Sequence, residues 1–298
     1  MDGFVIFINQ IINGIQVGSI YALVALGYTM VYGIVKLINF AHGDFIMVGA
    51  YVSLFSVPLL VRMGVPAWLC IVLALAACAL LGVVTERVAY KPLRNAPRIT
   101  ALITAIAVSL LLENLCMLLF SSSSKPFPTV FNKSIFNLGG VQFNSITLIT
   151  IVLSVISMIL LQLFVKKTKM GKAMRAVSED GGASILMGIN SNTTISITFA
   201  IGSGLAAIAA VMYCSAYPQV NPYMGSMLGL KAFIAAVLGG IGIIPGAMLG
   251  GFVIGLVESL TKAYISSQLA DAVVFGILII VLLVKPTGIL GKNIGEKV

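Results

Sequence analysis

Charged residues, and acidic residues above all, are scarce in this sequence. Asp and Glu together account for 9 of the 298 residues, and charged residues of both signs make up 9% of the chain. A typical soluble domain carries about 25% charged residues. With so few polar groups, a chain of this length cannot cover the surface of a water-soluble fold. The composition therefore excludes a soluble globular protein.

Motifs typical of catalytic sites are also missing. The chain has one histidine and four cysteines, and the cysteines form no CxxC pair. No GxxxxGK[ST] phosphate-binding loop, HExxH metal motif or GxSxG nucleophile motif occurs. We therefore predict that the chain is not an enzyme and binds neither a metal nor a cofactor. Any energy that it uses must come from a partner that hydrolyses ATP or from an ion gradient.

Long hydrophobic runs fill most of the chain. Hydrophobic residues make up 59% of it, and the mean hydropathy is +1.10. The runs have the length of membrane-spanning helices, about 17–25 residues, and lack the alternation of a membrane β-barrel. We predict an all-α, polytopic membrane protein with eight or nine transmembrane helices, some of them broken or re-entrant. The expected spans are 6–32, 42–61, 66–88, 100–120, 145–165, 193–214, 228–243, 246–264 and 268–284.

The net charge of +9 is arranged in clusters that predict an orientation. Three basic clusters fall on one side of the membrane in a nine-span count, and the positive-inside rule makes that side cytoplasmic. The N-terminus is then outside and the C-terminus cytoplasmic, and the charge indicates contact with lipid rather than with nucleic acid. The clusters are Arg87, Lys91, Arg94 and Arg98; Lys166, Lys167, Lys169, Lys172 and Arg175; and Lys285, Lys292 and Lys297.

The segment LINFAHGDFIMVGAY, residues 37–51, places polar groups inside an apolar run. Ionisable groups at membrane depth are costly and mark functional sites when they face a cavity. Gly43 interrupts the run, so we predict a helix end, a bend or a broken helix beside such a cavity. The alternative is a hydrogen-bonded contact between helices with no solute nearby. The candidate residues are Asn39, His42 and Asp44.

Two further charged residues near spans have both functional and structural interpretations. Glu113 either bonds across helices or faces a partner subunit. Lys231 begins a span and either extends its amine to the membrane surface or contacts a carboxylate of a solute. Glu258 and Lys262 stand four residues apart in the order that favours a helical ion pair.

The polar segment 166–192 predicts a docking element on the cytoplasmic side. It mixes basic residues and helix formers with a returning apolar edge, which suits a groove on a soluble partner. The alternative is a helix lying in the lipid interface. Gly181 and Gly182 would weaken a continuous helix, so the pattern favours a helix-turn-helix over a single rod.

Glycines in the last third of the chain predict close helix packing. Gly246, Gly250 and Gly255 recur at about one-turn spacing, which lets two backbones approach. The connecting sequence IGIIPG, residues 241–246, carries no charge. It therefore fits either a turn between two spans or the tip of a re-entrant hairpin.

Several segments occur together in one order and spacing. They are GSIYALVALGYTMVYGIVKLINFAHGDFIMVGAYVS, ERVAYKPLR, KMGKAMRAVSED with LMGIN, GLKAFIAAVLGGIGIIPGAMLGG, and KPTGILG. In this combination the chain resembles the H-type permease of the bacterial high-affinity branched-chain amino acid ABC importer. The resemblance covers nearly the whole chain, and only the segment 121–144 carries no recognised motif.

The resemblance implies an ABC importer permease fold and a set of partners. These are a homologous M-type permease, two cytoplasmic ATPase subunits that use ATP, and a periplasmic or extracellular solute-binding protein that delivers leucine, isoleucine or valine. Residues 1–298 would form one transmembrane permease domain of a multi-pass inner-membrane protein. Its solute path would include the candidates Asn39, His42, Asp44, Glu113 and Lys231. Relatives that carry urea or short amides, and an ion-coupled secondary transporter, are the alternatives.

The resemblance also places the ATPase coupling segment at residues 170–189, within the polar segment 166–192. Gly181, Gly182 and Ser184 depart from the usual family pattern there. The residues implied in coupling are Gly171, Arg175, Glu179, Asp180, Leu186 and Gly188.

Overall fold

A computed structural model describes residues 2–94, 96–138 and 141–291 of the chain. Lys292 and Lys297 of the third basic cluster lie outside the described residues. The helices are α1 (Asp2–Val35), α2 (His42–Arg62), α3 (Cys70–Thr85), α4 (Arg98–Phe120), α5 (Ser145–Lys167), α6 (Lys169–Glu179), α7 (Gly181–Leu186), α8 (Ser191–Ala216), α9 (Met224–Gly239), α10 (Ile244–Tyr264) and α11 (Ala270–Val284).

The helical, membrane-spanning character of the chain is confirmed. Within the described residues, seven helices are long and apolar enough to cross a bilayer. They are α1, α2, α4, α5, α8, α10 and a helix from Ala67 to Leu93 that includes α3 and the short turns on both sides of it. The remaining apolar helices, α9 and α11, have only 16 and 15 residues. The nine expected spans therefore all correspond to helices, but two of these are short.

The helices divide into a buried inner group and an exposed outer group. In α1 and α8, 78% of the residues in the most apolar window are buried, whereas in α3, α4 and α5 only 22% are buried. The outer helices carry rows of exposed leucine and isoleucine side chains. In a membrane, such surfaces face lipid or another apolar subunit.

Four short strands lie outside the bundle at the end where α1 begins, which we call the N-terminal end. The strands β1 (Lys125–Pro126) and β4 (Gln219–Val220) form one antiparallel pair. The strands β2 (Ile135–Leu138) and β3 (Val141–Asn144) form another, with Ile135 opposite Asn144. The amide of Gln142 donates to Asn9 Oδ1 of α1 at 3.2 Å, which fastens the second pair to the bundle.

The opposite end of the bundle collects the basic residues, and we call it the basic end. Arg94 donates to Asn192 Oδ1 at the start of α8, directly after α6 and α7. The glycine turn between α9 and α10 also lies here, because Gly242 meets Gly33 near the end of α1, and Gly240 meets Gly288. All three basic clusters thus have members at this end.

Glycines allow the close crossings between α10 and its neighbours. Gly255 lies against the backbone of Gly18 in α1, and Gly251 lies against Ala22. On another face of α10, Gly246 and Gly250 meet backbone carbonyls of α9. The tight packing predicted from the glycine spacing is therefore confirmed, and it involves two partner helices. Residues 240–243 form the turn between α9 and α10, in which Gly240 and Gly242 have positive φ, and the last three residues of IGIIPG begin α10.

Alanine in place of Gly255 should destabilise the bundle, because its Cβ would collide with the backbone of Gly18. Overpacking of this kind costs about 1–3 kcal/mol. We expect a lower thermal unfolding midpoint of the purified protein in detergent. Gly276→Ala is the matched control, because a Cβ at Gly276 of α11 meets no atom within 4 Å. Equal midpoints for the two variants would contradict the close crossing of α1 and α10.

Candidate functional site

The candidate site lies where α2 begins inside the bundle. Residues 36–41 between α1 and α2 are not helical, and Lys36 adopts a positive φ of 58°. Asn39, His42 and Asp44 are all buried. His42 contacts Gly27, which lies eight residues, or about 12 Å along the helix, before the end of α1. The predicted break is confirmed, and it leaves the start of α2 below the surface of the basic end.

His42 packs as an aromatic group at this break. Its ring meets Tyr28 edge-on with the centroids 4.6 Å apart, and it meets Phe45 at 6.0 Å. Gly27 leaves room for the imidazole, since a Cβ there would overlap its Nε2 atom. His42 Nε2 has no hydrogen-bond partner among the described residues. Aromatic packing therefore accounts for much of the position of the histidine ring.

Asn39, on the other side of the break, is held by a hydrogen bond from Tyr90. The Tyr90 hydroxyl donates to Asn39 Oδ1 at 2.7 Å. Tyr90 follows α3, and its ring packs at a tilt against Phe199 of α8 with the centroids 5.3 Å apart. The irregular segment before α2 is thus attached to two of the neighbouring helices.

Asp44 and Glu113 form an acidic pair of side chains between α2, α4 and α9. Gly43 approaches the backbone of Gly225 closely, which brings the start of α9 against the start of α2. Ser226, the next residue, donates a short hydrogen bond to Glu113 Oε1. Glu113 and Asp44 thus lie on helices that both contact the start of α9. The close helix approach therefore brings the two acidic candidates to one place.

The acidic pair has no cationic partner in the part of the chain that the structure describes. Asp44 is 1% exposed, and its Oδ1 atom makes no hydrogen bond there. A buried carboxylate without a counter-charge is strongly disfavoured unless it binds a proton or a cation. This arrangement can therefore accept a positively charged group of a ligand. The described residues contain no group of three metal-ligating side chains that would point to a metal ion instead.

Lys231 belongs to a second, fully paired cluster near the N-terminal end. Its amine contacts Glu258 Oε1 at 2.8 Å and Asp271 Oδ1 at 2.6 Å. Glu258 also accepts hydrogen bonds at 2.6 Å from Lys262 and from the Tyr21 hydroxyl. The predicted pair of Glu258 and Lys262 is confirmed. The four charges sum to zero, so the cluster is electrically neutral, and two of its members, Lys231 and Glu258, are buried.

The structure thus separates the five candidates for a path into two groups. Asn39, His42, Asp44 and Glu113 lie at or beside the start of α2, whereas Lys231 lies in the paired cluster. Sequence reasoning did not find the partners of Lys231, because Glu258 and Asp271 lie on other helices. One signal was present for Asp271, which is an acidic residue at the start of an otherwise apolar run.

The polar segment at the basic end forms two helices, as predicted. Thr168 caps α6 by accepting a hydrogen bond from the amide of Gly171, and Asp180 caps α7 by accepting one from Ala183, both at 2.9 Å. The chain turns at Asp180 between the two helices. Leu186, at the end of α7, is 88% exposed. The expected apolar edge is therefore present on the surface.

The six coupling candidates do not all lie on that surface. Arg175, Glu179, Asp180, Leu186 and Gly188 are exposed. Gly171 is buried, and a Cβ there would overlap the carbonyl groups of Phe164 and Val165 at the end of α5. Gly171 lets α6 fold back on α5, and its part in coupling stays a prediction.

A buried ion pair in the segment that follows α3 attaches that segment to the start of α8. Glu86 is completely buried and pairs closely with Arg94. Its second oxygen accepts a hydrogen bond from Ser196 at 2.6 Å, and Arg94 donates to Asn192. The connection between α3 and α4 is therefore anchored by paired charges to the start of α8, directly after the polar segment. Its two contacts with α8 join residues 98 and 110 positions apart, so local sequence does not show them.

Comparison with known proteins gives a family match over most of the chain. A family model described as "Branched-chain amino acid transport system / permease component" matches residues 10–283. The chain is 45% identical to the high-affinity branched-chain amino acid transport system permease protein LivH of Escherichia coli, over 100% of this chain and 99% of that protein. It is also 45% identical to BraD of Pseudomonas aeruginosa, a permease protein of the same description, over 98% of both chains.

A third relative is less similar in sequence but also matches nearly the whole chain. The probable branched-chain amino acid transport permease protein LivH of Methanocaldococcus jannaschii is 30% identical, over 98% of this chain and 92% of that protein. No solved structure matches the chain.

The two buried acidic sites should respond in opposite ways to loss of charge. Glu258→Gln weakens charge-assisted hydrogen bonds from two lysines, each worth about 1.5–3 kcal/mol. We expect it to lower the thermal unfolding midpoint in detergent. Asp44→Asn removes a charge that has no counter-charge among the described residues, so the midpoint should stay unchanged or rise. An equal loss in both variants would show that Asp44 has a partner comparable to those of Glu258.

Proposed function

Because the chain belongs to the family of permease components of branched-chain amino acid transport systems, we propose that it forms half of the path of an ATP-driven importer for leucine, isoleucine and valine. The observation that carries this proposal is the similarity to such permeases along the whole chain. The chain contributes the path and the connection to the energy source, and it is not an enzyme. ATP is bound and hydrolysed by its partners, and the chain itself binds no cofactor.

The proposed partners are a homologous M-type permease, two cytoplasmic ATPase subunits and a solute-binding protein. The exposed apolar faces of α3, α4 and α5 provide surface for lipid and for the second permease. Arg175 and Glu179 of α6, with Leu186 of α7, give the ATPases a surface of mixed charge and apolar character. Such a helical element fits a groove on a soluble partner.

We place the protein in the bacterial inner membrane as a single multi-pass domain. Its basic end would face the cytoplasm, in keeping with the positive-inside rule. The N-terminus would then be outside, and the chain would run towards the cytoplasmic side after α11. The coupling segment lies at this basic end, where it can reach cytoplasmic ATPases.

The proposed path passes the start of α2. A branched-chain amino acid is a zwitterion with an apolar tail, and a permease that receives it from a binding protein does not need to hold it tightly. Asp44 and Glu113 can attract its ammonium group, and Asn39 and His42 shape the wall beside them. Lys231 belongs to the same path nearer to its outer end.

The proposal is tested by uptake into vesicles that contain the complete complex with its solute-binding protein. We expect uptake of radiolabelled leucine that requires both ATP and the binding protein. Uptake of urea or acetamide instead of leucine would assign the complex to the short-amide relatives. Vesicles that contain this chain alone serve as the control. Accumulation of leucine in them on an ion gradient would overturn the ATP-driven mechanism.

Coupling to the ATPases is tested by reversing charges on α6. In Arg175→Glu and Glu179→Arg we expect leucine-stimulated ATP hydrolysis to fall about tenfold, the effect of losing about 1.4 kcal/mol of docking free energy. Lys133→Glu is the matched control, because Lys133 is exposed at the N-terminal end. Normal assembly with full stimulation in both α6 variants would instead favour a helix that rests on the lipid surface.

A further inference from the structure

We propose that a tyrosine-lined cavity at the N-terminal end of the bundle is the entry site of the amino acid, where the cluster of Lys231 and Glu258 recognises both of its charges. This inference rests on the proposed function, because it concerns the same transported solute. It adds a defined binding site, a recognition mechanism and a preference for zwitterions.

The cavity lies between α1, α9, α10 and the segment 217–223. It has a volume of about 660 Å³, within the range of about 300–1,000 Å³ typical of small-molecule sites. Tyr21, Tyr213 and Tyr217 form one part of its wall, and Met227 and Leu228 form another. Tyr217 is about half exposed, so the cavity can be reached from the N-terminal end.

Two buried charges of opposite sign stand side by side in the cavity wall. Lys231 and Glu258 are 8% and 2% exposed, and their charged atoms are 2.8 Å apart. Each has a further partner with a much more exposed side chain: Asp271 for Lys231, at 42%, and Lys262 for Glu258, at 49%. The inner pair is therefore fixed, whereas the outer pair can turn towards water.

An α-amino acid can replace the outer pair without unbalancing the cluster. Its carboxylate can accept from Lys231 in place of Asp271, and its ammonium group can donate to Glu258 in place of Lys262. The buried charges remain paired throughout, which avoids the high cost of an isolated charge in the interior. A ligand with one charge would leave one member of the cluster unbalanced. The geometry therefore favours zwitterions over acids or amines of the same shape.

The rest of the cavity suits an apolar side chain. The rings of Tyr213 and Tyr217 lie 5.1 Å apart, and together with Met227 and Leu228 they give an aromatic and aliphatic surface. Such a surface favours burial of a branched hydrocarbon tail. The acidic pair at Asp44 and Glu113 differs, because it can satisfy only the ammonium group.

Photo-cross-linking locates the site directly. The complete transporter in vesicles is irradiated with a diazirine analogue of leucine at millimolar concentration and without the solute-binding protein, so that the permease alone determines the result. We expect adducts on Tyr213, Tyr217 or Met227 that leucine suppresses. We expect 4-methylpentanoate and 3-methylbutylamine, each with only one of the two charges, to suppress them about tenfold less well.

Two pairs of variants separate recognition from structural support. Tyr217→Ala should reduce the adducts severalfold, whereas Tyr264→Ala should not, since Tyr264 is exposed at the same end but packs against Phe7 outside the cavity. Asp271→Asn leaves the cluster positive and should improve competition by 4-methylpentanoate. Lys262→Gln leaves it negative and should improve competition by 3-methylbutylamine. If the cluster were only structural, neither variant would change which of the two singly charged compounds competes better.

Three results would overturn the entry site: adducts confined to other parts of the chain, equal competition by the singly charged compounds, or no change of preference in the two charge variants. Leucine uptake by the unmodified complex is measured in parallel. Normal uptake with any of these results would reject the entry site and leave the proposed function standing. Absence of leucine uptake would instead reject the proposed function.

Discussion

Charges inside this bundle must be neutralised by protein groups, because the hydrocarbon core of a bilayer provides no water to solvate them. Glu258 meets this constraint with two lysines and a tyrosine, and Glu86 meets it with Arg94 and Ser196. Both networks join helices that are distant in sequence, so they also fix the two ends of the bundle. Asp44 has no comparable partner in the described structure. Ion pairs and hydrogen bonds within the protein therefore satisfy the first two carboxylates, whereas Asp44 remains without a counter-charge among the described residues.

The same lack of water explains why small residues determine the helix arrangement. Helices in lipid gain little from apolar burial against one another, so close backbone packing is a main source of their association. Gly18 and Gly255 let α1 and α10 touch, and this places α1 in the interior. Gly43 and Gly225 do the same for α2 and α9. Because α2 starts at this contact, Asn39 and Ala41 of the irregular chain before it are buried in protein, and burial in protein is the condition that tolerates such backbone at membrane depth.

Local sequence predicted the helices well because the length of an apolar run and the position of a helix break are local properties. The break before α2 and the turn at Asp180 were both found in this way. The partners of Lys231 were not, since pairing across helices depends on how the bundle packs. Gly171 shows the same limit: its residue type marks a close approach, but only the fold shows that α5, and not a partner, makes this contact.

The charge balance of the two buried sites gives the proposed path a direction. The cluster around Lys231 contains both signs and can hold an entire zwitterion. The site at Asp44 and Glu113 is acidic and can bind only the ammonium end, so a second wall must provide a group for the carboxylate. At the first site this chain would bind both charges of a solute that moves inward. At the second site it would bind only the ammonium group, and another subunit would bind the carboxylate. This chain would therefore bind the solute less tightly at the second site, which allows a subunit that forms one half of a path to release it.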